Sequence, residues 1–245
     1  SDLLVVSMAK GIENGSLETT TEVLNEVLAG VPRDRIGVLY GPSHAEEVAA
    51  RMPTAVVAAA PAHDTAEHIQ SVFMTDRFRV YVNTDVVGVE VAGSVKNVLA
   101  LAAGISDGVG YGDNAKAALL TRGLAEIRRL GMVMGARAET FSGLAGIGDV
   151  IATCTSTHSR NRHVGEQVGR GRTLEEVESE MSMVAEGVRT TKSVYDLARR
   201  YAIEMPITEA VYSILFKGKK PEDAVDELMT RDAKRENWQP EALQN

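Results

Sequence analysis

Lys96 lies in Gly93-Ser94-Val95-Lys96-Asn97, inside the most apolar stretch of the chain, between Val91, Ala92, Val95 and Val98, Leu99, Leu101. A lysine there is either partly desolvated, with a lowered pKa that suits proton transfer, or set at the wet edge of a helix with only its stem covered. Lys10 follows the end of an apolar run in Ala9-Lys10-Gly11-Ile12-Glu13. In open α/β sheets, ligands gather beyond the carboxyl ends of strands, so Lys10 either meets an anionic ligand or is a solvated loop lysine. Gly41-Pro42-Ser43 also follows an apolar run and opens a helix. Gly41 would let backbone come close to a ligand and Ser43 would leave free N–H groups for an oxygen; a plain capped turn reads the same way.

Ser159-Arg160-Asn161-Arg162 is the strongest anion-binding pattern. Ser159 reads as a helix N-cap, where exposed N–H groups and the helix dipole favour negative charge. Arg160 can clasp two phosphate oxygens, Asn161 can donate to a third, and Arg162 and His163 add donors; a solvated basic turn is the alternative. Asp149, in Gly146-Ile147-Gly148-Asp149, either orients a lysine or binds a hydroxyl, or simply caps a helix. The five histidines show no metal-ligand spacing, the single cysteine Cys154 has no partner, and no serine–histidine–acid set is identifiable, so no metal site is expected.

The elements that must position these residues fall into two kinds. Up to residue 85, short β-branched runs alternate with amphipathic stretches. Strands are predicted at Leu3 to Met8 (read as a buried strand), Ile36 to Leu39, Thr54 to Ala59 and Phe78 to Val82. Helices are predicted at Leu17 to Leu28, at Ser43 to Ala50 with Ser43 as N-cap, and at Ala66 to Phe73. After Asp85 the pattern is helical only. Val86 to Ile105 reads as one long apolar helix whose Gly88, Ala92 and Gly93 admit a neighbouring helix, and Asn114 to Met134 as a second. The glycine-rich Gly104 to Asp113 reads as a flexible connector between them. Further helices are predicted at Gly148 to Cys154, Arg160 to Val168, Leu174 to Met181, Val188 to Tyr201, Glu209 to Phe216 and Pro221 to Met229. The domain reading is therefore 1–85, 86–236 and a tail over 237–245.

A chain of 245 residues, 44% hydrophobic and 24% charged, has the composition of a globular protein able to bury a sizeable core. A net charge of −8 argues against a general nucleic-acid binder. The longest uninterrupted apolar runs, such as Val98 to Ala103, are too short to span a bilayer. One cysteine excludes an intrachain disulfide; a reducing compartment fits, and a cysteine-poor secreted protein reads the same way.

Taken together and in order, the motifs are specific. Lys10-Gly11-Ile12-Glu13, Gly41-Pro42-Ser43-His44-Ala45, Ser94-Val95-Lys96-Asn97, Ala103-Gly104-Ile105-Ser106-Asp107-Gly108, Thr121-Arg122-Gly123-Leu124-Ala125-Glu126, Gly143 to Asp149, Ser159-Arg160-Asn161-Arg162, Val184-Ala185-Glu186-Gly187 and Glu204-Met205-Pro206-Ile207 form a series. The series closely resembles the bacterial NAD(P)-dependent glycerol-3-phosphate dehydrogenases, from Lys10 to about Arg231. The resemblance implies part of a Rossmann-type sheet followed by an all-helical substrate domain like that of 6-phosphogluconate dehydrogenase. It implies a cytoplasmic enzyme that reduces dihydroxyacetone phosphate to glycerol 3-phosphate with NAD(P)H and supplies glycerophospholipid synthesis. Lys96 matches the family's catalytic lysine. Lys10, Gly41, Ser43, Asp149, Ser159, Arg160 and Asn161 match positions around the substrate. Lys10, Ala45, Arg160, Val184 and Glu186 match the cofactor side. Family members begin with a strand, a G-x-G-x-x-G turn and a helix that hold the pyrophosphate. No such segment precedes Lys10 here, so the expectation for this chain alone is weak cofactor binding, impaired turnover and an open strand edge prone to aggregation or to pairing two copies as a homodimer. A non-catalytic glycerol-phosphate-binding module and another sugar-phosphate or hydroxyacid dehydrogenase of the same superfamily remain as alternatives.

Overall fold

The computed structural model describes residues 3–181, 185–233 and 235–236. Its sheet holds four strands in the order β1 (Val5–Ser7), β2 (Ile36–Tyr40), β3 (Thr54–Ala59), β4 (Phe78–Asn83). β1 and β2 are parallel and joined through α1 (Thr20–Val27); β3 and β4 are parallel and joined through α3 (His63–Phe73). The middle pair, β2 and β3, runs antiparallel, with Val38 opposite Ala59, and the short helix α2 (Ala45–Ala49) lies between those two strands in sequence. Every residue of β2 is buried, which is why its sequence is an unbroken Ile-Gly-Val-Leu-Tyr rather than an alternation. β1 differs from its expected buried state: its residues are half-buried, Leu3 is exposed, and among the described residues no strand pairs its outer edge.

Among the described residues, only helices follow β4. α4 (Val86–Val109) is the central strut, buried almost without a break from Gly88 to Ser106. Around it pack α5 (Asp113–Val133), α6 (Asp149–Thr155), α7 (Arg160–Gly169), α9 (Glu186–Arg200), α10 (Pro206–Lys217) and α11 (Pro221–Met229), with α8 (Leu174–Glu180) against α7. By length and composition α4 could cross a membrane, which contiguous apolar runs did not suggest. Its apolar window is 94% buried within the protein, as befits a core helix.

Two glycine expectations are corrected. Gly104 and Gly108 belong to α4, not to a connector, and the link to α5 is only Gly110 to Gly112. Gly104 and Gly108 face the backbone of α7 at Arg162 and Glu166, while Gly165 and Gly169 of α7 face the backbone of α4 at Leu101 and Ile105. A methyl at any of these four would collide with main chain, so the glycines set how closely the two helices cross. Gly88 and Gly93 do not admit a helix. Gly93 makes room for the ring of Tyr40 in β2, and Gly88 for the carboxylate of Asp85.

Other element boundaries shift for local reasons. Leu17 has a positive φ of 65°, so it cannot begin α1; that helix starts after Thr19, which forms a capping box with Glu22. The N-cap of α2 is His44, not Ser43. The calls over 237–245 lie outside the described residues.

Candidate active site

The N-terminus of α4 is fixed first. Asp85 caps it, Oδ1 accepting from the N–H of Gly88 at 3.0 Å, while Oδ2 accepts from Arg137 N at 2.8 Å and Thr140 Oγ1 at 2.6 Å. Further along the helix, Lys96 is only 6% exposed. Its Nζ donates to Asp149 Oδ1 at 2.6 Å and to Thr153 Oγ1 at 2.5 Å. Lys10, on the segment leaving β1, donates to the other carboxylate oxygen, Oδ2, also at 2.6 Å, and to the carbonyl of Gly41 at 3.1 Å. One carboxylate that is 2% exposed thus joins two ammonium groups, one from the segment after β1 and one from α4. Of the two readings of Lys96, the desolvated one holds.

The electrostatics follow. Burial pushes the Lys96 ammonium down to about 8, the positive charge of Lys10 pushes the same way, and Asp149 opposes both. The nearby Cys154 is pushed up to about 12 by burial, which makes it an inert core thiol. Asp149 is the first residue of α6, and the N-cap position falls to Gly148. Of the readings of Asp149, the structure shows it in contact with both lysines, not capping α6.

The loop after β2 supplies the floor. Gly41 has φ of 148°, and a Cβ there would come within 2.9 Å of the Cα of Val56. A glycine is therefore required for its carbonyl to face Lys10. Ser43 is exposed and donates its hydroxyl to the same carbonyl at 3.1 Å. Ala45 is exposed at the start of α2.

On the far side, Ser159 caps α7 as expected, its Oγ accepting from Arg162 N at 3.2 Å. Arg160, exposed, occupies the first turn of that helix. Asn161 is buried, and its Oδ1 accepts from the N–H of Gly187 at 2.9 Å. A Cβ on Gly187 would lie 2.8 Å from both that oxygen and the carbonyl of Asn97, the residue after Lys96. The starts of α7 and α9 are thereby locked to α4 beside Lys96, with Glu186 exposed at the rim. Arg162 does not join the anion pattern. It turns to Asp107 of α4, Nη2 to Oδ2 at 2.6 Å. Val184 lies outside the described residues.

Four contributors were missed. Thr153 sits one turn after Asp149 on the same face of α6, a spacing that should have flagged it. Asp107 holds Arg162 and Lys116. Glu90, a lone acid in the apolar run of α4, accepts from Thr21 N at 2.8 Å, from Thr20 Oγ1 at 2.6 Å and from Thr21 Oγ1 at 2.5 Å, anchoring α1. Tyr40 donates to the carbonyl of Ala9 next to Lys10, and no sequence signal marks that contact. No cluster suited to a metal ion occurs among the described residues.

A twisted α/β sheet joined to a helical bundle, with a buried lysine–carboxylate pair where they meet, is the plan of a two-part nucleotide-dependent dehydrogenase. The family model for the C-terminus of NAD-dependent glycerol-3-phosphate dehydrogenase matches residues 85–226, and that for its N-terminus matches residues 1–66. Glycerol-3-phosphate dehydrogenase [NAD(P)+] 2 of Salinibacter ruber is 69% identical over 241 residues, covering 98% of this chain and 70% of the relative. The Chlorobium phaeobacteroides glycerol-3-phosphate dehydrogenase [NAD(P)+] is 58% identical over 236 residues, covering 96% and 71%. The crystal structure of glycerol-3-phosphate dehydrogenase from Coxiella burnetii superimposes with a TM-score of 0.89 at 44% identity, covering 94% of this chain and 70% of that one. The enzyme from Saccharomyces cerevisiae gives 0.81 at 29% identity, covering 91% and 67%. The chain belongs to the NAD-dependent glycerol-3-phosphate dehydrogenase family, whose members are NAD(P)-linked oxidoreductases.

Proposed function

We propose that this chain carries the catalytic site for reversible reduction of dihydroxyacetone phosphate to glycerol 3-phosphate, with Lys96 as general acid and base. The observation that carries the reading is the pair of lysines, Lys10 and Lys96, meeting at 2.6 Å on the two oxygens of one buried carboxylate. We assign residues 1–85 to the nucleotide-facing part, 86–236 to the substrate-facing part and 237–245 to a tail.

Reduction builds negative charge on the C2 oxygen. A buried ammonium stabilises that charge and then transfers its proton to it. A lysine whose pKa is lowered to about 8 gives up that proton far more readily than an exposed one, and retrieves it in the oxidative direction. Asp149 fixes the ammonium of Lys96 and keeps it charged against its burial. Lys10 adds a second positive charge, while Gly41 and Ser43 close the floor. Ser159, Arg160 and Asn161 at the start of α7 receive the phosphate with helix N–H groups and a guanidinium, giving binding energy away from the reacting carbon.

The residues present fit a nicotinamide cofactor at this end of the sheet. Gly41 leaves no side chain over the strand end, and Gly187 brings the start of α9 against α4 beside Lys96. Lys10, Ala45, Arg160, Val184 and Glu186 are the residues we assign to that side. When bound, the nicotinamide supplies or accepts the hydride at C2.

The test has two parts. Dihydroxyacetone-phosphate-dependent oxidation of NADH and NADPH is followed for this chain and for Lys96→Ala, with circular dichroism as the folding control. Calorimetry measures glycerol 3-phosphate binding separately. Turnover lost in Lys96→Ala supports the reading. Binding without turnover that is indifferent to Lys96 makes the chain a binding module instead, and a preference for a substrate lacking phosphate sinks the assigned roles of Ser159, Arg160 and Asn161.

A further inference from the structure

Lys10 has no regular element beneath it. Between Ser7 and Thr20 the chain has no helix or strand, only the isolated bridge of Ile12 with Thr19. Yet its ammonium must reach one oxygen of Asp149 while Lys96, on a buried helix, holds the other. Something outside the segment has to set its position.

The side chain that does so comes from α4. Ser94 is 1% exposed, and its Oγ both accepts from the N–H of Gly11 at 3.0 Å and donates to the carbonyl of Gly11 at 3.1 Å. One hydroxyl therefore satisfies both main-chain groups of the residue that follows Lys10. Supporting contacts flank it. Tyr40 donates to the carbonyl of Ala9, the residue before Lys10, and Ser193 of α9 donates to the carbonyl of Ile12 at 3.0 Å. Ser94 is distinguished from these by its place: it is two residues from Lys96 on the same helix. The helix that carries one ammonium thus clamps the backbone that carries the other.

We propose that Ser94 is a positioning residue for substrate binding, fixing the register of Lys10 against Lys96 and Asp149 through its two hydrogen bonds to Gly11. This rests on the reading of Lys10 as a substrate contact. Removing the hydroxyl leaves Gly11 with two unpaired groups and lets the Lys10 segment drift. A displacement of about 1 Å in such a contact is costly, and the loss should be felt through Lys10.

The experiment is a double-mutant cycle on the full chain, reading the Kd of sn-glycerol 3-phosphate by calorimetry, with thermal melts as the stability control. Ser94→Ala is expected to weaken binding by about tenfold in the parent and to change it little in a Lys10→Ala background, because the position it secures no longer matters. Ser94→Thr, which keeps the hydroxyl, should restore the parent Kd. Equal weakening in both backgrounds, or none in the parent, overturns the inference; so does a Ser94→Thr variant that melts like the parent yet binds as poorly as Ser94→Ala. If Lys10→Ala itself binds like the parent, or the parent does not bind, then it is the reading of Lys10 as a substrate contact that has failed.

Discussion

Two buried ionic clusters, one joining the segment after β1 to the helices and one among the helices, are put to different uses. In one, Lys10 and Lys96 share Asp149. In the other, Glu126 of α5 lies 3% exposed and accepts from the N–H of Ile207 at 2.9 Å and of Thr208 at 3.4 Å, while Arg129 one turn on donates to the carbonyl of Glu204 at 3.1 Å. Both clusters contain a group pushed far from its ordinary pKa, with burial as the first cause: Lys96 down to about 8 and Glu126 up to about 7. A perturbed pKa therefore does not by itself distinguish a reacting group from a structural one. The company each keeps does. Glu126 spends its oxygens on the orphan N–H groups at the start of α10, a capping task. Asp149 instead holds two like charges together, an arrangement that suits the proposed anionic substrate.

The largest effect should come from Lys96→Ala. With no ammonium to neutralise the C2 oxygen, the reductive rate should fall by ~10³ or more, with an unchanged dichroism spectrum. A loss below tenfold would put Lys96 in the same class as Glu126.

The pH dependence comes next. Reduction needs protonated Lys96, so kcat/KM should be full below about 8 and fall as pH rises through that value, while oxidation, which needs the neutral amine, should rise through it. Asp149 raises the lysine's pKa, so in Asp149→Asn the limb should move to lower pH as well as losing height. A profile that stays in place would mean another group titrates.

The sequence made the sheet legible because its strands are β-branched runs bounded by turn residues; all four were found, three of them to within about a residue. It also made Lys96 legible, since a charge inside an apolar helix is conspicuous. The readings of Asp149 stayed open because only tertiary contact separates a helix-start acid from a lysine ligand. Gly104 and Gly108 were misread because a glycine cluster in sequence looks the same whether it serves a loop or a close helix crossing. The partner stripe, Gly165 and Gly169, lies on another helix and only the fold reveals the match.

A smaller effect, and one confined to stability, is expected at the second cluster. Burial holds the Glu126 proton in the folded state up to about 7, against an ordinary value of 4.5. The folded state thus binds more protons than the unfolded one between those values, so this residue's contribution is fully present below 4.5 and is lost as pH rises to about 7. The loss amounts to about 3 kcal/mol. Glu126→Gln should flatten that slope in denaturant titrations while leaving turnover as it was. A drop in turnover with unchanged stability would break the division between the two clusters.

The smallest effect should come from a pair with the same chemistry and no burial. Arg51 Nη2 lies 3.0 Å from Asp76 Oδ1, but the two side chains are 73% and 69% exposed. Water screens the attraction, and ordering two free side chains offsets what remains. Asp76→Asn should therefore cost less than ~1 kcal/mol in a thermal melt and nothing in turnover. A cost of several kcal/mol would mean that ion-pair geometry matters here regardless of burial. The contrast drawn for Asp149 and Glu126, in which desolvation makes each partner decisive, would then lose its physical basis.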